Sequence, residues 1–129
     1  MNTRTILIAD DESPIVNMVS LILANAGFVV LTASDGREAL ERARHERPDL
    51  IITDYHMPHL SGLELCAALS RDPATRDVPA ILLTGRGYEL EPRVTVNSGI
   101  RCMIAKPFSP CQLLQTVNET LGITLQQAA

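Results

Sequence analysis

Five short apolar runs recur along the 129-residue chain and alternate with longer segments of mixed polarity. Most of the runs are continuously apolar, as in strands that are buried on both faces of a parallel sheet. Parallel neighbours need crossover connections, which are usually helical, so the pattern predicts an α/β domain. The expected strands are TILIA (5–9), FVVLTA (28–33), DLIIT (49–53), AILLT (80–84) and RCMIA (101–105).

The intervening segments carry signals for the starts and ends of helices. Ser13-Pro14 and Ser109-Pro110 each place an N-cap residue before a proline that suits the first helical position. Gly122 is a typical residue for ending the last helix. Four helices are expected: Ser13 to about Gly27, after Ser34 to before Pro48, Ser61 to before Arg71, and Ser109 to about Leu121.

Residues 85–98, GRGYELEPRVTVNS, are the exception, because two glycines, Pro92 and a β-branched run all oppose helix formation. We expect a mobile loop there and a short helix from near Glu91, which makes five helices with an irregular fourth. With five strands, the flavodoxin-like doubly wound order 2-1-3-4-5 is favoured. The whole chain, 1–129, is expected to be one domain with its core at 4–121 and a tail at 122–129.

Composition excludes several classes of function. The net charge is -4 and there is no basic run, so direct binding of nucleic acid is not expected. No apolar stretch reaches the roughly 18 residues of a membrane span, and the N-terminus lacks a signal peptide, which predicts a cytoplasmic protein. Cys66, Cys102 and Cys111 share no metal-ligand spacing and are interpreted as small buried apolar residues without chemistry.

Polar residues follow four of the five expected strands, at the ends that meet along one edge of a parallel sheet. Each has an ordinary structural interpretation, such as a helix-dipole acid, a turn former, a strand cap or a solvated lysine. Together they indicate a site, since clustered carboxylates repel one another unless a hard cation such as Mg²⁺ lies among them. The residues are Asp10-Asp11-Glu12, Asp54, Thr84 and Lys106-Pro107.

The same residues make the chain resemble the receiver domains of bacterial two-component response regulators. The resemblance covers about residues 4–121 and includes the sequence DYHMP around Asp54 and Lys106-Pro107-Phe108 after the last strand. It implies that Asp54 accepts a phosphoryl group from a sensor histidine kinase or a phosphotransfer protein. It also implies that Lys106 pairs with that group, that the Thr84 hydroxyl binds it, and that Pro107 follows a cis peptide bond.

The resemblance further implies a Mg²⁺ ion held by Asp11, Asp54 and the backbone carbonyl of His56, with Asp10 acting mainly through water. His56 and His59 flank the site, and the His56 side chain is expected at the pocket mouth, where it influences the access of water. Such a protein is a signalling switch that phosphorylates and dephosphorylates itself and is no enzyme towards separate substrates.

One position departs from the family pattern. Met103 stands where receivers usually carry a Tyr or Phe that turns inward with the switch threonine. Met103 either fills that space without a polar contact or is a core methionine with little switching role. We therefore expect the signal to leave the site mainly through Thr84 and residues 85–98, towards a docking face formed by residues 86–101 and the last helix.

Other functions remain open from the sequence. The chain could be a degenerate receiver that serves only as a docking module, although Asp11, Asp54, Thr84 and Lys106 are all intact. A haloacid dehalogenase-like phosphohydrolase would need an acid where His56 stands, and a flavodoxin-like cofactor binder would need glycines in place of DDESP. No output domain is expected within the chain, and its downstream partner is unknown.

Overall fold

A computed structural model describes residues 4–57, 59–84 and 100–122. They form a five-stranded parallel sheet in the order β2-β1-β3-β4-β5, as predicted. Parallel strands need crossover connections, and because the strand order reverses direction after β2, right-handed crossovers fall on both faces of the sheet. The strands are β1 (Thr5–Ala9), β2 (Val29–Ala33), β3 (Leu50–Asp54), β4 (Ala80–Thr84) and β5 (Ile100–Ala105).

The described residues contain four helices, each within a few residues of its predicted bounds. The short helix and the loop predicted within residues 85–98 lie outside the described residues, as does nearly all of the predicted tail. None of the described helices is both long and apolar enough to cross a membrane. The helices are α1 (Ser13–Asn25), α2 (Gly36–Glu46), α3 (Gly62–Arg71) and α4 (Pro110–Leu121).

Alternate residues of each central strand pack into different helix layers, because successive side chains of a strand point to opposite faces. In β1, Ile6 and Ile8 face α1 and α4, whereas Leu7 and Ala9 face α2 and α3. Both faces of β1, β3 and β4 are therefore buried, which explains their uninterrupted apolar sequences. Helices cover both faces of the sheet, so the polar groups at the strand ends collect along the carboxyl edge of the sheet, that is, the edge formed by the C-terminal ends of the strands.

The start of α1 differs from the prediction. Its N-cap is Glu12, with an extended backbone (φ -97, ψ 104), and Ser13 is already helical. The Asp10 carboxylate accepts the Glu12 N–H at 2.9 Å, which turns the chain into the helix one residue earlier than a serine cap would. The predicted cap Ser109 is confirmed, and Ser61, which was predicted only as the start of a helix, is also a cap, since each serine accepts a hydrogen bond from the third residue of its helix.

The three cysteines occupy different environments. Cys66 is buried and Cys102 is half-buried, but Cys111 is exposed near the start of α4, so its interpretation as a buried apolar residue is wrong. The error has a simple cause: Leu113 and Val117 carry the buried face of α4, and Cys111 does not share that face. Burial raises the pKa of the Cys66 thiol to about 12, which keeps it protonated and unreactive.

Candidate functional site

The carboxyl edge of the sheet gathers the polar residues that follow the strands. Asp10 and Asp11 come directly after β1, Asp54 is the last residue of β3, and Thr84 is the last residue of β4. Because β1 pairs with β3 and β3 with β4, these strand ends are neighbours. Lys106 follows β5 at the same edge, and its N–H donates to the Thr84 carbonyl at 2.7 Å.

Three carboxylates form a compact group in this edge. Oxygens of Asp10, Asp11 and Asp54 all lie within 4.8 Å of one another. Asp10 and Asp54 are buried and Asp11 is exposed, so the group opens to solvent on the Asp11 side. Among the His, Cys, Asp and Glu residues that the structure describes, this is the group with the spacing to hold a metal ion.

Lys106 supplies the positive charge beside this group. Its Nζ lies 3.1 Å from Oδ1 of Asp54 and 3.3 Å from Oδ2 of Asp10. The Lys106 side chain is 16% exposed, so its charge is screened less than that of a typical surface lysine. The peptide bond between Lys106 and Pro107 is cis, as the resemblance to receiver domains implies.

Burial and neighbouring charges shift the pKa values of three residues of the site. Burial raises the pKa of Asp10 despite its hydrogen bond from the Glu12 N–H, and the charge of Asp54 adds to the effect. Burial likewise raises the pKa of Asp54, although Lys106 opposes it and Asp11 reinforces it. For Lys106, burial alone would lower the pKa, but the nearby carboxylates outweigh burial and the pKa is raised. Burial is thus the main reason that Asp10 and Asp54 resist ionisation, and Lys106 offsets it only in part.

The two histidines near Asp54 are exposed. The His56 ring contacts the Tyr55 ring, with centroids 4.6 Å apart, while His59 has a left-handed backbone (φ 70). Neither belongs to the carboxylate group. The exposure of His56 is compatible with a position at the pocket mouth, which stays a prediction.

Met103 lies on β5 opposite Leu82, and it is 39% exposed. Its interpretation as a core methionine is therefore wrong. The reason is the position of β5 at the edge of the sheet, where the burial pattern alternates and the continuous apolar rule of central strands does not apply. Ile104, the next residue, is the one that enters the core.

A family model described as "Response regulator receiver domain" matches residues 6–118 of the chain. The chain belongs to this family. As a receiver domain it is a signalling module of two-component systems, in agreement with the resemblance seen in the sequence. The match counts against both the dehalogenase-like hydrolase and the flavodoxin-like cofactor binder.

Related receivers cover nearly all of the chain. The phosphate regulon transcriptional regulatory protein PhoB of Pseudomonas aeruginosa is 39% identical over 121 residues, which are 94% of this chain and 53% of PhoB. PhoB of Escherichia coli is 36% identical, with coverage of 92% and 52%. The chain thus spans about half the length of these curated relatives.

Solved structures agree with the fold. The chemotaxis response regulator CheY4 of Vibrio cholerae has a TM-score of 0.86 and 34% identity, over 92% of this receiver and 99% of CheY4. The receiver domain of a sensor histidine kinase from Pseudomonas aeruginosa has a TM-score of 0.84 and 25% identity, over 94% and 99%. That second structure has a magnesium ion coordinated in its active site cleft.

Glu12 is a partner of Lys106 that the sequence did not predict. Glu12 Oε2 lies 3.3 Å from Nζ of Lys106. The sequence showed Glu12 as the last acid of the run after β1, but it did not show that this side chain turns towards β5. The sequence signal that could have indicated this contact is the position of Glu12 directly after Asp10 and Asp11, the two acids predicted to bind a metal ion.

Proposed function

We propose that this receiver domain accepts a phosphoryl group on Asp54. The observation that carries the proposal is the ion pair between Lys106 Nζ and Oδ1 of Asp54, at 3.1 Å, beside two further carboxylates. A buried carboxylate that ends a strand at an open edge can reach a donor, and the adjacent ammonium can receive the arriving charge. The donor is a phosphohistidine of a sensor histidine kinase or a phosphotransfer protein in the cytoplasm.

The residues present fit a Mg²⁺ ion. The group offers three carboxylate oxygens within 4.8 Å of one another, the hard ligands that Mg²⁺ prefers, and these three carboxylates lie beside one ammonium group, that of Lys106. Asp11, Asp54 and the backbone carbonyl of His56 would hold the ion, with Asp10 acting through water. When bound, Mg²⁺ offsets the charge that builds on the phosphoryl oxygens during transfer.

The protein's own groups perform the remaining tasks. An ionised carboxylate oxygen of Asp54 forms the new O–P bond as the N–P bond of the phosphohistidine breaks, and the imidazole leaves with the bonding electrons. Lys106 stays protonated because its pKa is raised, and its ammonium group follows the phosphoryl oxygens. Thr84 is buried and ends the strand that pairs with the strand of Asp54, and its hydroxyl would donate to a phosphoryl group on Asp54.

The switch residues in this proposal are Thr84 and Met103. Thr84 reports the phosphoryl group, and the response passes to residues 85–98, which lie outside the described residues. Met103 is exposed on β5, and the docking face in this proposal is formed by residues 86–101 and the last helix. A downstream protein or an output domain would bind that face, and residues 4–121 would act as one receiver core.

Intact mass spectrometry after incubation with acetyl phosphate and Mg²⁺ tests the proposal. A labile phosphoryl adduct is expected in the wild type and in Asp77→Asn, which alters an exposed aspartate away from the site, and not in Asp54→Asn. If no adduct forms, even with a phosphodonor kinase, the chain is a docking module. Steady release of phosphate from unrelated monoesters would instead identify a hydrolase.

A further inference from the structure

Lys106 has a third carboxylate partner that differs from the other two. Nζ lies 3.3 Å from both Oε2 of Glu12 and Oδ2 of Asp10, but the side chain of Asp10 is fully buried and that of Glu12 is 58% exposed. Glu12 also lies outside the group of carboxylates with metal-binding spacing. Glu12 is therefore tied to the site through Lys106.

The backbone of Glu12 is fixed even though its side chain is exposed. Its N–H donates to Oδ1 of Asp10 at 2.9 Å. Its carbonyl accepts from the N–H groups of Ile15 and Val16 at 3.0 and 3.1 Å. The side chain thus starts from a defined point at the N-terminus of α1, and only its outer part can move.

The hydrogen-bonding capacity of Lys106 limits what it can do next. An ammonium group has three N–H donors, and Nζ has three carboxylate partners, on Asp54, Asp10 and Glu12. Esterification of Asp54 frees the donor that pairs with Asp54, but the phosphoryl group presents several anionic oxygens, so a second donor must come from Asp10 or Glu12. Separation from buried Asp10 would leave a buried charge unpaired, which is costly, whereas Glu12 can turn into water at little cost.

We propose that Glu12 is a positioning residue that holds Lys106 before phosphoryl transfer and competes with the phosphoryl group for it. The inference rests on the proposed phosphorylation of Asp54. Glu12 restrains the site in the unphosphorylated receiver and is displaced when the phosphoryl group arrives. Its carboxylate also repels free anionic phosphodonors at the mouth of the site.

Two substitutions separate these effects. Glu12→Gln removes the charge and keeps the length of the side chain. Glu12→Asp keeps the charge, but its side chain is one methylene shorter and cannot hold Lys106 at the same distance. Asp is also an accepted N-cap residue, so α1 is retained. Glu41→Gln on α2 is the matched control, since it removes one exposed charge from another part of the domain.

The measurement is the rate of adduct formation from acetyl phosphate at fixed Mg²⁺. Both Glu12 variants should react about two- to fivefold faster than the wild type at low ionic strength, because exposed ion pairs are weak. Glu41→Gln should match the wild type. The ratio of the variant rate to the wild-type rate should shrink as salt is added, since salt screens the ion pair between Glu12 and Lys106 in the wild type. A purely structural role of Glu12 would give no such salt dependence.

Two results would overturn the inference. If Glu12→Asp reacts like the wild type while Glu12→Gln is faster, Glu12 acts only through its charge and does not hold Lys106. If both variants match the wild type, Glu12 has no part in the reaction. In either case, the phosphoacceptor function stands if the wild type forms an adduct and Asp54→Asn does not. If the wild type forms no adduct, the phosphoacceptor function itself is rejected, and the role of Glu12 is rejected with it.

Discussion

Gly62, the first residue of α3, packs directly on the main-chain carbonyl of Asp54. A Cβ atom at position 62 would overlap the Asp54 carbonyl oxygen and would lie 2.9 Å from Cδ1 of Leu82. The Gly62 N–H donates to the Tyr55 carbonyl at 2.9 Å, which ties the start of α3 to the end of β3. The placement of Asp54 therefore depends on a residue without a side chain.

Gly62→Ala should destabilise the domain by roughly 1–3 kcal/mol, because the methyl group forces the backbone of α3 away from β3. In an unobstructed helix the same change would stabilise by up to about 1 kcal/mol, so the sign of the effect is informative. Urea unfolding followed by circular dichroism measures it. Gly122→Asn is the control: position 122 is left-handed with open space around it, and Asn tolerates that conformation. A stabilised Gly62→Ala would refute the close contact.

The capping box at the start of α3 should make part of the stability depend on pH. Ser61 accepts from the Glu64 N–H at 3.2 Å, and Glu64 accepts from the Ser61 N–H at 3.0 Å. The backbone hydrogen bond from Ser61 lowers the pKa of Glu64 below its usual 4.5. This contribution is present above about that pH, and it is lost as the pH falls through the lowered folded-state pKa.

Denaturant titrations at several pH values in the wild type and Glu64→Gln would show this. The stability difference between them should be constant at neutral pH and should shrink in acid. Ser61→Ala should cost about 1 kcal/mol at neutral pH. Ser109→Ala is the matched comparison, since its third residue is Gln112, and its cost should not vary with pH in this range. A stability difference between the wild type and Glu64→Gln that does not change with pH would argue against the capping box.

Asp54→Asn should stabilise the metal-free domain, because burial and Asp11 raise the pKa of Asp54 and its ionisation costs free energy in the folded state. A raised pKa means that stability falls as the pH rises from below 3.8 through the folded-state value. The advantage of Asp54→Asn should therefore be present at neutral pH and vanish in acid, where the wild-type carboxyl is itself protonated.

Addition of Mg²⁺ to the same unfolding experiment should reverse the comparison. At about a hundred times its dissociation constant, Mg²⁺ should stabilise the wild type by about 2.7 kcal/mol. Asp54→Asn, with one carboxylate ligand fewer, should gain less at the same concentration. The exposed Asp77→Asn should respond like the wild type. Equal stabilisation of Asp54→Asn would show that Asp54 does not hold the ion.

Met103→Ala should cost less than about 1 kcal/mol, because much of the side chain is already in solvent. Ile104→Ala, one residue further along β5, should cost roughly 2–5 kcal/mol, since Ile104 is buried in the core beside α1 and α4. Thermal or urea unfolding of the two variants tests the assignment of the two faces of β5. Similar losses in both would restore the interpretation of Met103 as a core residue.

The fold was predictable because its signals are local and strong. The continuous apolar runs of β1, β3 and β4 indicated central parallel strands. Serine–proline pairs and glycines indicated where helices begin and end. The predictions for Met103 and Cys111 failed for one reason: each residue was assigned the burial of its neighbours. Edge-strand position and helix rotation decide exposure, and both depend on tertiary packing.

The site was predictable to the level of which residues meet. Strand order alone brings Asp10, Asp54 and Lys106 to one edge, so their convergence followed from the fold. The direction of a flexible side chain does not follow from strand order. For that reason the contact of Glu12 with Lys106, and the turn of α1 around the Asp10 carboxylate, appeared only in the structure.

Lys106 and Asp10 are 96 positions apart in the sequence, and their ion pair joins the ends of the fifth and the first strand. Such a pair cannot form until the chain between them has been arranged, because distant contacts require most of the topology to be in place. The pair is thus a marker of completed folding. A chain cut before β5 would lack Lys106, and its acids would have no ammonium group beside them.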